Sequence, residues 1–301
     1  MQPTPTDPGT IRALLAEAER TLAAGPHADR ARRDAETLLL HAMRRRAPDR
    51  NLAWLIAHGD DTVAAEATSD FCALTERRSA GEPVQYITGE AEFYGLTFEV
   101  NRDVLIPRPE TELLVEKAIE LAQKLRQSGM IPDPRIVDVG TGSGAIAVAL
   151  AHELPFGQIT ATEISPAALA VAKANAARNG VADRVRFLEG DLLNPVGRGQ
   201  FDLVISNPPY VPERDCDSLP VEVRNYEPAQ ALFAGEDGLA IYRRLLPQAF
   251  SVLIAGGILL VEIGYGQRAP VESLLSNAGF RGIEFTEDLQ KIPRVAAARK
   301  P

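Results

Sequence analysis

An α/β domain with a mostly parallel sheet, preceded by a small helical bundle, is the architecture that this 301-residue sequence predicts. Three observations carry it. Residues 1–81 show helical periodicity alone, residues 82–108 turn to β-branched and aromatic residues around glycines, and in residues 109–301 apolar strands alternate with helices. Strands linked through helices need crossover connections, and these lay helices on both faces of a parallel sheet.

The elements come in this order. Residues 1–9 are rich in Pro and Thr and lack the basic start and apolar run of a signal peptide, so they read as a disordered tail. Ile11, Leu14, Leu15, Ala18 and Leu22 fall on one helical face, and Gly25 with Pro26 ends that helix. Further helices are expected over residues 29–43, 49–58 and 62–78. Together they make a small bundle. GEPVQYITGEAEFYGLTFEV alternates around Gly89 and Gly95 as a β-hairpin does, joining the bundle to the α/β domain. Pro109 suits the first position of a helix, and Glu110 and Glu112 favour the positive end of its dipole. Beyond it RIVDV, QITATEI, RVRFLE, FDLVIS and GGILLVEI read as strands, with helices over residues 143–153, 166–179 and 239–250. The tail FRGIEFTEDLQKIPRVAAARK supplies an antiparallel pair for the sheet edge.

Composition excludes several function classes. A chain 45% hydrophobic and 24% charged is an ordinary globular one, with no apolar run of the roughly 18 residues that a membrane span needs. Net charge −9 opposes broad neutralisation of phosphates, so no stable nucleic-acid partner and no membrane partner is expected. Cys72 and Cys216 lie far apart without CxxC or Cys/His spacing. That pattern argues against a disulfide framework or a metal site and for the reducing cytoplasm.

Two motifs carry chemistry. VDVGTGSGAIAVAL runs from a strand through Gly140, Thr141, Gly142, Ser143 and Gly144 into a helix, and glycines there let the backbone turn sharply and approach a ligand closely. The loop alone suits either a dinucleotide or S-adenosylmethionine (SAM), since Gly140-x-Gly142-x-x-Ala145 also fits the NAD(P) fingerprint. Glu163 stands where an acid holds a ribose diol in both cases, or is simply a strand-end carboxylate. Asp138, just before the loop, favours the cationic methionine end of SAM and would repel a pyrophosphate.

The second motif is Asn207-Pro208-Pro209-Tyr210, at the carboxyl end of FDLVIS. Proline cannot continue a central strand, so the tetrapeptide ends one, at the edge where open α/β sheets bind ligands. It offers hydrogen-bond acceptors and no redox group, which favours SAM over a nicotinamide. A planar nitrogen resists methylation because its lone pair is delocalised. The Asn207 side-chain oxygen and the Pro208 carbonyl can accept its two hydrogens and turn that lone pair toward a sulfonium methyl. Pro209 stiffens the carbonyl, and Tyr210 can stack on the planar group. Two neutral hydrogen bonds are worth about 0.5–1.5 kcal/mol each, whereas alignment of two reactants supplies roughly 7–11 kcal/mol. Positioning is therefore the expected source of catalysis. A bare Asn-Pro-Pro-Tyr is equally a rigid turn, and only the glycine loop and Glu163 upstream make it a site.

GEPVQYITGEAEFYGLTFEV, LIPRPETELLVE, DVGTGSGAIAVAL and SNPPY together resemble the bacterial release-factor glutamine methyltransferases, the PrmC/HemK family, over nearly the whole chain and most weakly over residues 1–80. The resemblance implies a class I SAM-dependent methyltransferase fold, a Rossmann-like seven-stranded sheet, with a helical N-terminal domain that helps to grip the substrate protein. It implies transfer of methyl from SAM to N5 of the glutamine in the Gly-Gly-Gln motif of peptide chain release factors, with S-adenosyl-L-homocysteine as product. The family's cofactor contacts map onto residues 140–144, Glu163, Asp191, Leu192 and Asn207; substrate contacts map onto Asn207, Pro208, Pro209 and Tyr210. Some positions depart from the family pattern. Glu163 replaces a common aspartate, Leu192 an aromatic found in some relatives, and Lys291 a usual glycine. PRPETE is either a helix start or a cover over the cofactor site.

Alternative substrates are a ribosomal-protein glutamine and, less in keeping with the acidic charge, an exocyclic amine of nucleic acid. A SAM-binding assembly factor without turnover is a fourth reading, which the intact Asn207 element opposes. His27, His41, His58 and His152 are dispersed and read as packing or solvated groups, and Arg44 to Arg46 as a solvated helix end or a contact for an acidic partner.

Overall fold

Thr10 opens the first helix: its hydroxyl accepts the N–H of Ala13 at 3.3 Å, and α1 (Ile11–Ala23) buries Ile11, Leu14, Leu15, Ala18 and Leu22 as the periodicity requires. The computed structural model describes residues 9–44, 49–129 and 131–301. Arg45 and Arg46 of the basic run, and residues 1–8 of the expected tail, lie outside the described residues. α2 (Ala31–Met43), α3 (Leu52–Ala57) and α4 (Ala65–Ser79) come next. α3 is shorter than periodicity alone suggests because Asn51 caps it, its side-chain oxygen accepting the N–H of Trp54 at 3.0 Å.

The N-terminal unit ends at Gly89 and also takes in Pro220–Tyr226. The first half of the expected hairpin is helix instead. α5 (Val84–Thr88) buries Tyr86 and Ile87 and stops at Gly89, whose φ of 76° closes the turn. Leu38 and Leu39 have no exposed surface and, with Phe71 and Leu55, form this unit's core. Inside the same unit Arg78 is buried, donating to Asp34 at 2.6 Å, to the Glu82 carbonyl at 2.9 Å and to Glu222 at 2.9 Å. That last carboxylate belongs to a short helix, Val221–Tyr226, contributed by the chain long after the bundle is complete.

The second unit comprises Glu90–Leu219 and Glu227–Pro301. β1 (Glu90–Phe93) and β2 (Leu96–Glu99) pair antiparallel through a turn at Tyr94 and Gly95, both at positive φ. α6 (Pro109–Gln127) begins at the expected proline. The sheet is built from β3 (Arg135–Val139), β4 (Gln158–Glu163), β5 (Val185–Glu189), β6 (Phe201–Ser206), β7 (Leu253–Glu262), β8 (Arg281–Glu287) and β9 (Pro293–Arg299). Its order is β5-β4-β3-β6-β7-β9-β8, parallel through β7 and antiparallel at the β9/β8 edge. The seven strands and the edge pair are those the sequence predicts.

α7 (Ala145–Glu153), α8 (Pro166–Arg178), α9 (the Val221–Tyr226 helix), α10 (Ala240–Val252) and α11 (Arg268–Asn277) complete the helices named here. α10 places Tyr242, Leu245 and Leu246 against Val204, Leu259 and Val261 of the sheet. At the edge turn Lys291 takes φ 64°, the strained conformation that glycine would adopt freely. Asp288 offsets the strain, accepting the N–H groups of Gln290 at 2.8 Å and Ile292 at 3.0 Å and the Arg294 guanidinium at 2.8 Å. Among the described residues no helix is long and apolar enough to cross a membrane.

Candidate active site

The carboxyl ends of β3, β4 and β6 converge because the register sets Val139 beside both Thr162 and Ser206. Directly after β3 the chain turns through Gly140, Gly142 and Gly144 at φ 72°, 55° and 84°. A Cβ at Gly140 or Gly142 would meet nothing within 4 Å, whereas at Gly144 it would press on Ala172 at 3.1 Å. The first two glycines therefore face open space and the third permits α7 to lie against α8. The Gly140 and Thr141 N–H groups donate to the Thr162 carbonyl at 2.9 and 3.0 Å, which ties the loop to β4.

Glu163, almost wholly buried, closes the loop from the other side. One carboxylate oxygen accepts the Gly142 N–H at 2.9 Å and the other the Ser165 N–H at 3.0 Å. Each oxygen keeps a further lone pair, so the group can still accept from a diol. Asp138 has no exposed surface; one oxygen accepts the Thr141 hydroxyl at 2.6 Å and the other has no hydrogen-bond partner. Burial pushes its carboxyl up to about 7, against the lowering effect of the Thr141 bond. Ser143 is held through its carbonyl by Asn175 at 2.8 Å, and Asn175 also exchanges hydrogen bonds with the Glu99 backbone.

After β5, Asp191 pairs with Arg244, and Leu192 adopts φ 49°. A left-handed leucine is strained, and such strain collects at functional sites. After β6, the Asn207 Nδ2 donates to Thr111 Oγ1 at 3.0 Å, while the Thr111 hydroxyl donates to Glu262 at 2.7 Å. The Tyr210 hydroxyl donates to the same Glu262 at 3.3 Å, and its carbonyl accepts from Gln267 at 2.9 Å. Burial, with the adjacent Glu262, holds the Tyr210 phenol well above its ordinary range, so it stays protonated. Gly264 and Gly238 make room for this residue: a Cβ would come within 2.9 Å of the Tyr210 ring at the first and 2.4 Å of its carbonyl at the second.

These ends enclose a cavity of about 310 Å³. Gly140, Gly142, Glu163, Asp191, Leu192, Asn207 and Pro209 line it, joined by residues 102–105 and by Ile164. Asp138, Thr141, Ser143, Gly144, Pro208 and Tyr210 stand behind it and shape the residues that do. The Asp138 side chain thus faces into the glycine loop, whereas its charge and place in the sequence predict a contact with the ligand. Thr111, Asn175, Arg244, Glu262 and Gln267 are site residues that the motifs do not announce. Glu262 carries a signal, a lone acid ending an otherwise apolar strand; Thr111 carries only its place in PRPETE.

Residues 13–89 match the PrmC N-terminal domain model and residues 115–222 the Methyltransferase small domain model. A release factor glutamine methyltransferase of Bradyrhizobium diazoefficiens is 41% identical over all of this chain and 99% of its own. The chain belongs to the release factor glutamine methyltransferase family. A member from Moorella thermoacetica is 44% identical over 90% of this chain and 91% of its own, and one from Koribacter versatilis 43% over 83% and 86%. In the class I methyltransferase fold, the hMettl16 catalytic domain in complex with MAT2A 3'UTR hairpin 6 superposes with a TM-score of 0.53 at 17% identity, covering 85% of this chain and 95% of that one. As in this glutamine methyltransferase family, the chain is a methyltransferase enzyme in which the helical domain precedes the catalytic one.

Proposed function

We propose that this enzyme transfers the methyl group of SAM to N5 of the glutamine in the Gly-Gly-Gln motif of peptide chain release factors, in the cytoplasm, leaving S-adenosyl-L-homocysteine. One observation carries the reading: Asn207 lines the cavity with its NH₂ end already committed to Thr111, so its oxygen remains to receive a donor. A primary carboxamide is such a donor, and an NH₂ group held there is offered to an electrophile rather than to a base.

The residues present suit SAM. Gly140 and Gly142 leave open space where any Cβ would project, and a cation bound beside the loop would favour the ionised form of Asp138, one oxygen of which has no partner. Gly140 and Gly142, in the loop that Asp138 braces, would hold the methionine end, Glu163 the ribose hydroxyls, and Asp191 and Leu192 the adenine. SAM, when bound, supplies a methyl group on a positively charged sulfur.

The chain's own part is positioning. Asn207 Oδ1 and the Pro208 carbonyl accept the two amide hydrogens of the glutamine, and Pro209 fixes the peptide between them. Tyr210, locked by Glu262 and Gln267, braces from behind the Asn207–Pro209 wall on which the planar amide lies. Two bonds of about 0.5–1.5 kcal/mol each matter less for binding than for restricting the nitrogen to one approach. No side chain need remove a proton beforehand, because the methylated nitrogen sheds one readily. Tritium-labelled SAM offered with a purified release factor, with its Gly-Gly-Gln→Gly-Gly-Ala variant and with bulk RNA tests the reading. Label is expected in the first alone. Label in the RNA instead, or in the Gly-Gly-Ala variant, would overturn it.

A further inference from the structure

PRPETE has a purpose beyond starting α6. Thr111 of α6 and Glu262 at the end of β7 are both buried, at 4% and 2% exposure. A threonine hydroxyl has one proton. Here an acceptor-only carboxylate takes it at 2.7 Å, so toward Asn207 the same oxygen can only accept, at 3.0 Å. We propose that Thr111 and Glu262 are positioning residues that fix which end of the Asn207 amide faces the substrate. The inference rests on the reading that Asn207 Oδ1 accepts from the glutamine carboxamide.

The chemistry comes from symmetry. A primary amide turned by half a revolution keeps its shape and exchanges acceptor for donor. With its nitrogen outward Asn207 would confront the substrate NH₂ with another NH₂. The ionised Glu262 prevents that by directing the Thr111 proton away. Once protonated, Glu262 can donate to Thr111 Oγ1, freeing the Thr111 proton for Asn207 Oδ1 and stabilising the unproductive turn.

The groups around Glu262 come from several elements. Glu110 on α6 disfavours its charge, Arg294 on β9 favours it, the Tyr210 hydroxyl donates to it, and the Tyr242 hydroxyl of α10 donates to its main-chain carbonyl at 2.6 Å. Arg294 is itself engaged by Asp288. Burial is the largest influence and pushes the Glu262 carboxyl up to about 7, inside the range an assay can reach. The productive arrangement therefore belongs to the higher-pH side.

Thr111→Val, Thr111→Ser and Glu262→Gln test this in the full-length enzyme, with kcat and KM for a release factor, the dissociation constant for SAM, and the pH profile of kcat. Thr111→Val should lower kcat roughly 10- to 100-fold, as small misplacements of a reacting group do, with SAM affinity within about twofold. Thr111→Ser should restore most of kcat. The wild-type profile should fall on the acid side near pH 7, and that limb should vanish in Glu262→Gln. Full kcat in Thr111→Val, equal losses in the Ser and Val variants, or an unchanged acid limb in Glu262→Gln would each overturn the proposal. Should Thr111→Val not fold, the Asn207 side-chain amide nitrogen of the native protein decides by NMR. Its signal should titrate with Glu262, and a flat response refutes the coupling. A native enzyme that methylates the release factor while Thr111→Val is unaffected sinks this inference alone, whereas a native enzyme inactive on release factors sinks the underlying reading.

Discussion

Replacing Glu163 by alanine removes a carboxylate that serves the loop and the cavity together. Its two oxygens hold the Gly142 and Ser165 N–H groups at 2.9 and 3.0 Å, and the residue is only 8% exposed, so water replaces those bonds poorly. Hydrogen bonds to a charged group are worth about 1.5–3 kcal/mol each. Loss of one such bond to the ribose, with the loop less fixed, predicts weaker SAM binding by roughly 1.5–3 kcal/mol, or about 10- to 150-fold. Titration calorimetry with SAM and with S-adenosyl-L-homocysteine reads this directly. Both should weaken alike, since both carry the ribose. A dissociation constant unchanged within about twofold would remove Glu163 from the cofactor site and refute the reasoning.

Other outcomes rest on the same geometry. Arg78→Met leaves Asp34 as a buried carboxylate without its cation, while Glu222 keeps Arg30, which should cost about 3–5 kcal/mol of the helical unit's stability in urea titrations; an unchanged midpoint would contradict it. Asp138→Asn tests the buried carboxyl. Its folded value of about 7 lies above the ordinary 3.8, so the folded state holds the proton more tightly and native stability falls as pH rises through that interval. The variant lacks that fall, and its stability relative to wild type should therefore increase from pH 4 to pH 8. Parallel curves for the two ligand-free proteins would show that Asp138 is not held protonated.

Much of this architecture is legible in the sequence because the periodicities are strong and local. Strand-like runs mark all seven strands of the main sheet, most of them followed closely by glycine or proline, and Pro109 and Pro166 mark helix starts. What periodicity misses is short or built over long range. α5 and α9 are only five and six residues long, too brief for a repeating face, and α9 is held in the helical unit by an ion pair spanning 144 positions. The glycine loop and Asn207 stand out because few residue types permit that backbone or that chemistry. Their supports do not. Thr111 meets Asn207 across 96 positions and Glu262 across 151, so nothing adjacent in sequence announces them. Charge alone suggests a ligand contact for Asp138, whereas burial governs it: a carboxyl with no exposed surface acts first on its own loop.

Asn207→Ala, measured for SAM affinity and for turnover on a release factor in the same preparation, puts the whole account at risk. Positioning by the Asn207 oxygen predicts a SAM dissociation constant within a few-fold of wild type and a kcat reduced roughly 10²- to 10³-fold, the cost of deleting one well-placed polar contact at a reacting centre. Equal loss of binding and turnover would mean that Asn207 only builds the cavity, and undiminished turnover that the glutamine is held elsewhere.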